Sequence, residues 1–89
     1  MPKTLYSEGQ QFIAKALADQ RRRKGLSQTQ VARALGRHQP FIANIESGER
    51  RVDLVELLDL AEVIDLDLDA LIAAMMAKRT TRRRKRRPR

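Results

Sequence analysis

The sequence predicts an all-α fold in which five helices build one domain. The first observation is that apolar residues recur at the spacing of a helix in successive stretches. The second is that serine or aspartate opens most of these stretches, and glycine or aspartate closes most of them. The third is the length of 89 residues, which suffices for a single small core.

The first two helices are delimited by serine caps and glycine ends. Helix 1 is expected to begin at Ser7 and to end at Gly25. Helix 2 is expected over about 27–35, with Ser27 as its N-cap and Gly36 at the position that favours a left-handed residue. The apolar stripe of helix 1, which Arg21 continues, consists of Phe12, Ile13, Ala16 and Leu17.

The third helix begins near His38 or Gln39 and ends before Gly48, with Ile42 and Ile45 pointing inward. Pro40 suits a first helical turn, since its missing N–H would have no partner there. Proline also biases the preceding residue away from the helical conformation, so either His38 or Gln39 is the cap. Two short helices joined by a tight glycine turn form a helix-turn-helix, whose second helix enters the major groove of DNA.

The fourth helix opens with Asp53 and Glu56, which match a D-x-x-E capping box. It ends at Asp65, a residue type that tolerates the left-handed conformation. The exposed acids of this helix indicate a solvated surface, because their spacing winds them around one outer face. Its predicted core stripe is Leu54, Leu57, Leu58, Ala61 and Ile64.

The fifth helix is predicted over 68–78, with Asp67 as its cap and Leu68, Leu71, Ile72 and Met75 on its inward face. A helix that is apolar nearly all round needs cover on both sides. Small residues on the second face would let another helix approach closely. The sequence therefore predicts a homodimer through helix 5, formed by Ala70, Ala73, Ala74, Met76 and Ala77.

Charge divides the chain into three blocks. Residues 1–51 carry a net charge of +6, residues 52–77 carry −7, and residues 78–89 carry +9. This pattern suggests a DNA-facing half, a half turned away from DNA, and a basic tail. We expect a flexible N-terminus at 1–6, a domain over 7–77, and a tail at 78–89 that self-repulsion keeps disordered. Tail cations expected to neutralise phosphates are Arg82, Arg83, Arg84, Lys85, Arg86 and Arg87.

The segment from Gly25 to Gly48 reads G-L-S-Q-x-x-V-A-x-x-L-G-x-x-Q-x-x-I-x-x-I-E-x-G. It resembles the helix-turn-helix domain of the Cro/phage-repressor (XRE-type) regulators, and the likeness extends over roughly positions 12 to 72. The resemblance implies a five-helix, lambda-repressor-like DNA-binding domain. The expected function is sequence-specific transcriptional regulation. Repression by a dimer on a near-palindromic operator is the economical mechanism, because no effector domain is evident, and the lack of cysteine favours a reducing cytoplasm.

The resemblance, together with the position and chemistry of the side chains, assigns residues to roles. Gln39 matches a glutamine that often reads bases, and a Gln amide can pair with adenine N6 and N7. Residues expected to read bases are Arg37, Gln39, Pro40, Ala43 and Asn44; those expected to contact the DNA backbone are Gln28, Thr29, His38, Arg50 and Arg51. Arg21 and Glu46 match an ion pair of the family, and a buried carboxylate requires such a partner in any case.

Other function classes find less support. The sequence offers no nucleophile–base set, no cofactor motif and no glycine loop for phosphates, so an enzyme is not expected. It has no cysteine and one histidine, His38, so no metal site is expected. No apolar run approaches the ~20 residues that span a bilayer. Two alternatives stay open: an antitoxin-like autoregulator that binds a protein partner through the acidic helix 4–5 surface, and a nonspecific nucleic-acid binder dominated by the tail.

Overall fold

A computed structural model describes the backbone of residues 7–86 and the side chains of residues 7–79. Within this part the chain forms five α-helices and no strand, which confirms the predicted fold class. The helices are α1 Glu8–Arg23, α2 Gln28–Ala34, α3 Gln39–Ser47, α4 Leu54–Ile64 and α5 Leu68–Arg86. The expected N-terminal segment 1–6 and Arg87 lie outside the described residues, as do the side chains of Arg82, Arg83, Arg84, Lys85 and Arg86.

Side-chain caps set the starts of four of the helices. The Ser7 hydroxyl accepts a hydrogen bond from the backbone N–H of Gln10. Ser27 and Asp53 each open a complete capping box, with Gln30 and with Glu56 respectively. Asp67 similarly accepts a hydrogen bond from the backbone N–H of Ala70, at 3.1 Å, ahead of α5. Each cap thereby satisfies one of the backbone N–H groups that lack a partner within the first turn.

Helices α3 and α4 each end at a residue in the left-handed conformation. Gly48 closes α3 with φ 88°, and Asp65 closes α4 with φ 58°. Asp65 is the one residue other than glycine with positive φ in the described chain. The amide of Gln20 in α1 donates to the carbonyl oxygens of both Ile64 and Asp65, at 3.1 and 3.0 Å. This contact satisfies two carbonyls at the C-terminus of α4 and fixes α4 against α1.

The core lies where α1, α2, α3 and α4 meet, and α5 closes it through contact with α1. Its buried side chains come from every helix: Leu17, Val31, Ala32, Ile42, Ile45, Leu57, Leu60, Ile64 and Leu71. The helix-turn-helix pair therefore shares its core with α1 and α4. Two helices this short could not bury a core alone.

The predicted stripe of α4 is partly wrong. Leu54 and Leu58 are 66% and 47% exposed, whereas Leu60, which the prediction omitted, is 3% exposed. Leucines occur on more than one face of this helix, so helical spacing alone does not show which face meets the core. On α5, Ile72 is likewise exposed, because α1 covers only the side of α5 that carries Leu71 and Met75.

The fifth helix is longer than predicted. It continues to Arg86, eight residues past the expected end at 78, so the expected boundary between domain and tail lies within a helix. Arginine and lysine are good helix formers, and neither glycine nor proline interrupts the chain between Leu68 and Arg87. The predicted end at 78 took account of the mutual repulsion of these cations but not of their helix propensity.

Candidate nucleic-acid interface

The pair α2–α3 is joined by a tight turn at Gly36, whose φ of 69° is left-handed. The backbone N–H of Arg37 closes the turn by donating to the carbonyl of Ala32 at 2.8 Å. Val31 and Ile42 are buried between the two helices. Val31 and Ile42 thus mark the inner side of the pair, and the rest of the domain does not cover the outer side.

Of the two residues that could cap α3, His38 and Gln39, the structure shows His38 at the N-cap. His38 occupies the N-cap position with an extended backbone, Gln39 is the first helical residue and Pro40 the second. The His38 side chain makes no capping hydrogen bond and is exposed. Because Pro40 has no backbone N–H, this turn contains one donor fewer that a capping side chain would have to satisfy.

The residues expected to read bases share the first two turns of α3 and the turn before it. Arg37, Gln39, Pro40 and Asn44 are exposed, and Ala43 is half-buried. Gln39 and Ala43 are four residues apart, as are Pro40 and Asn44, so they form two adjacent rows on the outer surface. The structure thus gathers all of these side chains at one surface of the domain.

A chain of hydrogen bonds connects this surface to the interior. The Gln39 amide donates to the side-chain oxygen of Gln28 at 2.7 Å, and the Gln28 amide donates to Glu46 at 2.9 Å. Glu46 in turn accepts from Arg21 of α1. Because a glutamine amide carries two N–H groups and an oxygen, Gln39 retains hydrogen-bonding capacity while Gln28 holds it.

The structure brings Arg21 and Glu46 together as a nearly buried ion pair, with side chains 11% and 8% exposed. Arg21 donates from Nε to Glu46 Oε2 at 2.6 Å and from Nη2 to Oε1 at 3.0 Å. Its Nη1 donates to the carbonyl of Leu26 at 2.8 Å. The hydrogen bond to Glu46 raises the pKa of Arg21. One guanidinium therefore ties together α1, the turn before α2, and α3.

Arg50, expected to clamp phosphate, is instead engaged within the protein. It donates from Nη1 and Nη2 to the two oxygens of Glu56 at 2.8 and 2.9 Å. Arg37 approaches the same carboxylate at 3.5 Å. The hydrogen bond from Arg50 lowers the pKa of Glu56, and the same bond raises the pKa of Arg50. Thr29 and Arg51, which were also expected to contact the DNA backbone, are exposed.

Sequence reasoning missed this second role of Glu56. The D-x-x-E pattern identifies the residue only as part of a capping box, and that box is present. Arg50 and Glu56 are six positions apart across the loop between α3 and α4, a spacing that belongs to no helical or strand pattern. Phe41 of α3 contacts both arginines, with the guanidinium carbons of Arg37 and Arg50 at 4.2 and 4.7 Å from its ring centroid.

The side chains expected at a dimer interface are exposed in the single chain: Ala70, Ala73, Ala74, Met76 and Ala77. The four alanines lie within about 100° of one another around α5, whereas Met76 lies about 120° from Ala70, near Ile72. Ala70 and Ala74 border an open groove of about 470 Å³ against α1. Further exposed apolar side chains stand at the start of α4.

The described side chains, those of residues 7–79, bring together no group of three or more His, Asp or Glu residues that could hold a metal ion. Within residues 7–86, none of the helices has both the length and the hydropathy needed to cross a membrane.

Comparison with known proteins places the chain in a family. A model of the helix-turn-helix domain family matches residues 13–75, which is more than half of the chain. The chain is also 36% identical over 55 residues to the ImmF control region 10 kDa protein of Bacillus phage phi105. That match covers 62% of this chain and 61% of the length of the phage protein. Both findings agree with the resemblance to Cro/phage-repressor regulators, and the chain belongs to the helix-turn-helix domain family.

Proposed function

We propose that the chain is a sequence-specific DNA-binding transcriptional regulator, and that α3 is its recognition helix. The observation that carries the proposal is the exposed polar surface of α3, supported from below by the chain Gln39–Gln28–Glu46–Arg21. Side chains that read bases must be held in place, because each correct bidentate pair discriminates by only about 1–3 kcal/mol. A surface that is both exposed and braced meets that requirement.

Base recognition is assigned to Arg37, Gln39, Pro40, Ala43 and Asn44. Gln39 would pair with adenine through its oxygen and its second N–H, and Asn44 would contact the next row of bases or a phosphate. Ala43 would lie against a thymine methyl group. Arg37, at the mouth of the groove, would supply the charged contact, to a base in the operator and to a phosphate in duplex of other sequence.

Backbone contacts are assigned to residues around the rim of α3. Thr29, His38 and Arg51 are exposed there, and Gln28 can approach a phosphate from the start of α2. Such contacts fix register and orientation without reading sequence. The remaining backbone contacts are assigned to Arg50 and to the cations of 82–87.

We further propose that the regulator acts as a repressor, by occupying an operator as a homodimer. A two-fold dimer would place two recognition helices about 34 Å apart, one turn of DNA, and would match a near-palindromic site. Exposed apolar side chains on α5, with Met76 at 55%, support a surface that another copy covers.

The test is a selection of bound duplexes from a fully randomised library, followed by affinity measurements. We expect enrichment of two related half-sites and, for the selected duplex, an affinity at least about 10³-fold above that for random duplex. Equal affinity for selected and random duplexes would contradict the proposal. That outcome would favour a nonspecific nucleic-acid binder, and single-stranded and duplex RNA should be compared with DNA in the same assay.

A second candidate is an antitoxin-like autoregulator that binds a protein partner through α4 and α5. Exposed Leu54 and Val55 stand beside the acids of α4, which is a surface that a basic, apolar partner would fit. Purification of the tagged chain from its own source distinguishes the two. A stoichiometric partner that is lost in Leu54→Ser would support this candidate, and recovery of homodimer alone would exclude it.

A further inference from the structure

Glu56 places a negative charge beside two cations next to the recognition helix. Its side chain is only 13% exposed, while those of Arg37 and Arg50 are 47% and 40% exposed. The carboxylate is fixed from its own helix as well, because Oε1 accepts the backbone N–H of Asp53 at 3.1 Å. Glu56 is therefore held rigidly at a position from which it meets both guanidinium groups.

The two arginines are bound to Glu56 unequally. Arg50 makes two short, parallel hydrogen bonds and a third to the carbonyl of Arg51 at 3.1 Å. Bidentate pairs of this kind are among the strongest that side chains form. Arg37 makes a single contact of 3.5 Å with Glu56 Oε2, too long for a strong hydrogen bond. Arg37 is thus the guanidinium that can exchange its partner most readily.

Phe41 keeps both cations close to this carboxylate. The two guanidinium groups lie over its ring, within the range in which cations and aromatic rings attract each other. Two like charges gathered at one ring repel each other, and Glu56 offsets that repulsion. The carboxylate also halves the net charge that Arg37 and Arg50 present to an approaching phosphate.

We propose that Glu56 is a positioning residue that competes with DNA phosphate for Arg37. In the free protein the carboxylate neutralises part of the charge of Arg37; on DNA, a phosphate replaces the carboxylate as the partner of Arg37, the more weakly held of the two arginines. Glu56 thereby reduces the part of the affinity that is independent of sequence. The inference rests on the proposed function, since it requires that Arg37 approach DNA.

The test compares Glu56→Gln with Glu62→Gln. Glutamine at the third helical position preserves the capping box, so Glu56→Gln removes the charge with little change in the helix start. Glu62 is exposed on the same helix, six residues further on, and its replacement removes the same charge away from the arginines. Binding of both variants and of the original chain to a random duplex is measured between 50 and 200 mM salt (concentrations at which such slopes are usually compared).

We expect Glu56→Gln to bind random duplex roughly three- to tenfold more tightly at low salt, because one attractive charge is released. The slope of log affinity against log salt should steepen by at most about 0.9, the value of one phosphate contact, because competition from Glu56 leaves Arg37 on phosphate in only part of the complexes of the original chain. Arg37→Ala should remove that gain in the Glu56→Gln background and have a smaller effect in the original chain. Glu62→Gln should leave the slope unchanged.

Two results would overturn the inference. One is a slope for Glu56→Gln equal to that for Glu62→Gln, and the other is weaker binding by Glu56→Gln, which would show that the carboxylate prepares the arginines for DNA. If Glu56→Gln does not fold, Glu56→Asp draws the carboxylate back by one methylene and should change the slope in the same direction. Failure of the original chain and Glu62→Gln to bind any duplex would instead refute the proposed function.

Discussion

Replacing Glu46 by alanine tests the link between the core and the recognition helix. The substitution removes the acceptor of two Arg21 hydrogen bonds and of one from Gln28. Arg21 is buried, and a guanidinium does not lose its proton under any ordinary condition. The variant must therefore hold an uncompensated charge in the interior or rearrange α1 to expose it.

The expected loss of unfolding free energy is about 3–5 kcal/mol, the value for breaking a buried pair from one side. A domain of this size has a total stability of roughly 5–15 kcal/mol, so the loss is a large fraction of it. Each kcal/mol lowers the melting temperature by about 4–8 °C in domains of 60–100 residues. Thermal and urea unfolding followed by circular dichroism should therefore show a fall of at least about 12 °C.

Asp19→Ala is the matched control, because it also removes one carboxylate from an ion pair. Asp19 lies on α1 and pairs with Lys15 at 3.0 Å, but the Lys15 side chain is 76% exposed. Water replaces such a partner readily, so the melting temperature should change little. If Glu46→Ala were as stable as Asp19→Ala, the assignment of a structural role to the buried pair would be wrong.

Four further outcomes are expected. Gln39→Ala should relax base preference at one position per half-site by roughly 1–3 kcal/mol, whereas Arg51→Ala should weaken all sequences alike; identical profiles across a randomised operator library would contradict this. Ala73→Glu should give monomers in ultracentrifugation and weaken operator binding, and a monomeric original chain would exclude the dimer. A chain ending at Arg79 should fold and show a shallower salt slope; an unchanged slope would leave the tail without a role on DNA. Stability should fall as pH drops below about 4.5, because the pKa of Glu56 is lowered in the folded state, and Glu56→Gln should flatten this dependence.

The helix starts and ends were the features most accessible from the sequence. Ser27 and Asp53 carry their capping chemistry locally, and Gly36 and Gly48 adopt the left-handed conformation that their positions indicate. Each of these signals involves residues within a few positions of each other. They can be recognised without knowledge of the tertiary structure.

The errors on α4 and at Arg50 arose where tertiary contacts decide, whereas the length of α5 depends on local helix propensity. Leu58 and Leu60 are both leucines on α4, and only the positions of α1 and α2 determine that Leu60 is the buried one. Arg50 was expected to be available for phosphate, since nothing local marks its partner Glu56 across the loop. Contacts between side chains on either side of a loop depend on how the helices pack. Helical spacing in the sequence does not predict such contacts.

The central claim is that the exposed face of α3 contacts the bases. The most direct measurement is a titration of the ¹⁵N-labelled chain with its selected duplex, followed through backbone and side-chain amide signals in NMR spectra. We predict the largest shifts at the Gln28, Gln39 and Asn44 side-chain amides and along the first two turns of α3, with random duplex shifting the Gln39 signal much less. Shifts concentrated on α5, with those three side-chain amides unmoved by the selected duplex, would contradict the account.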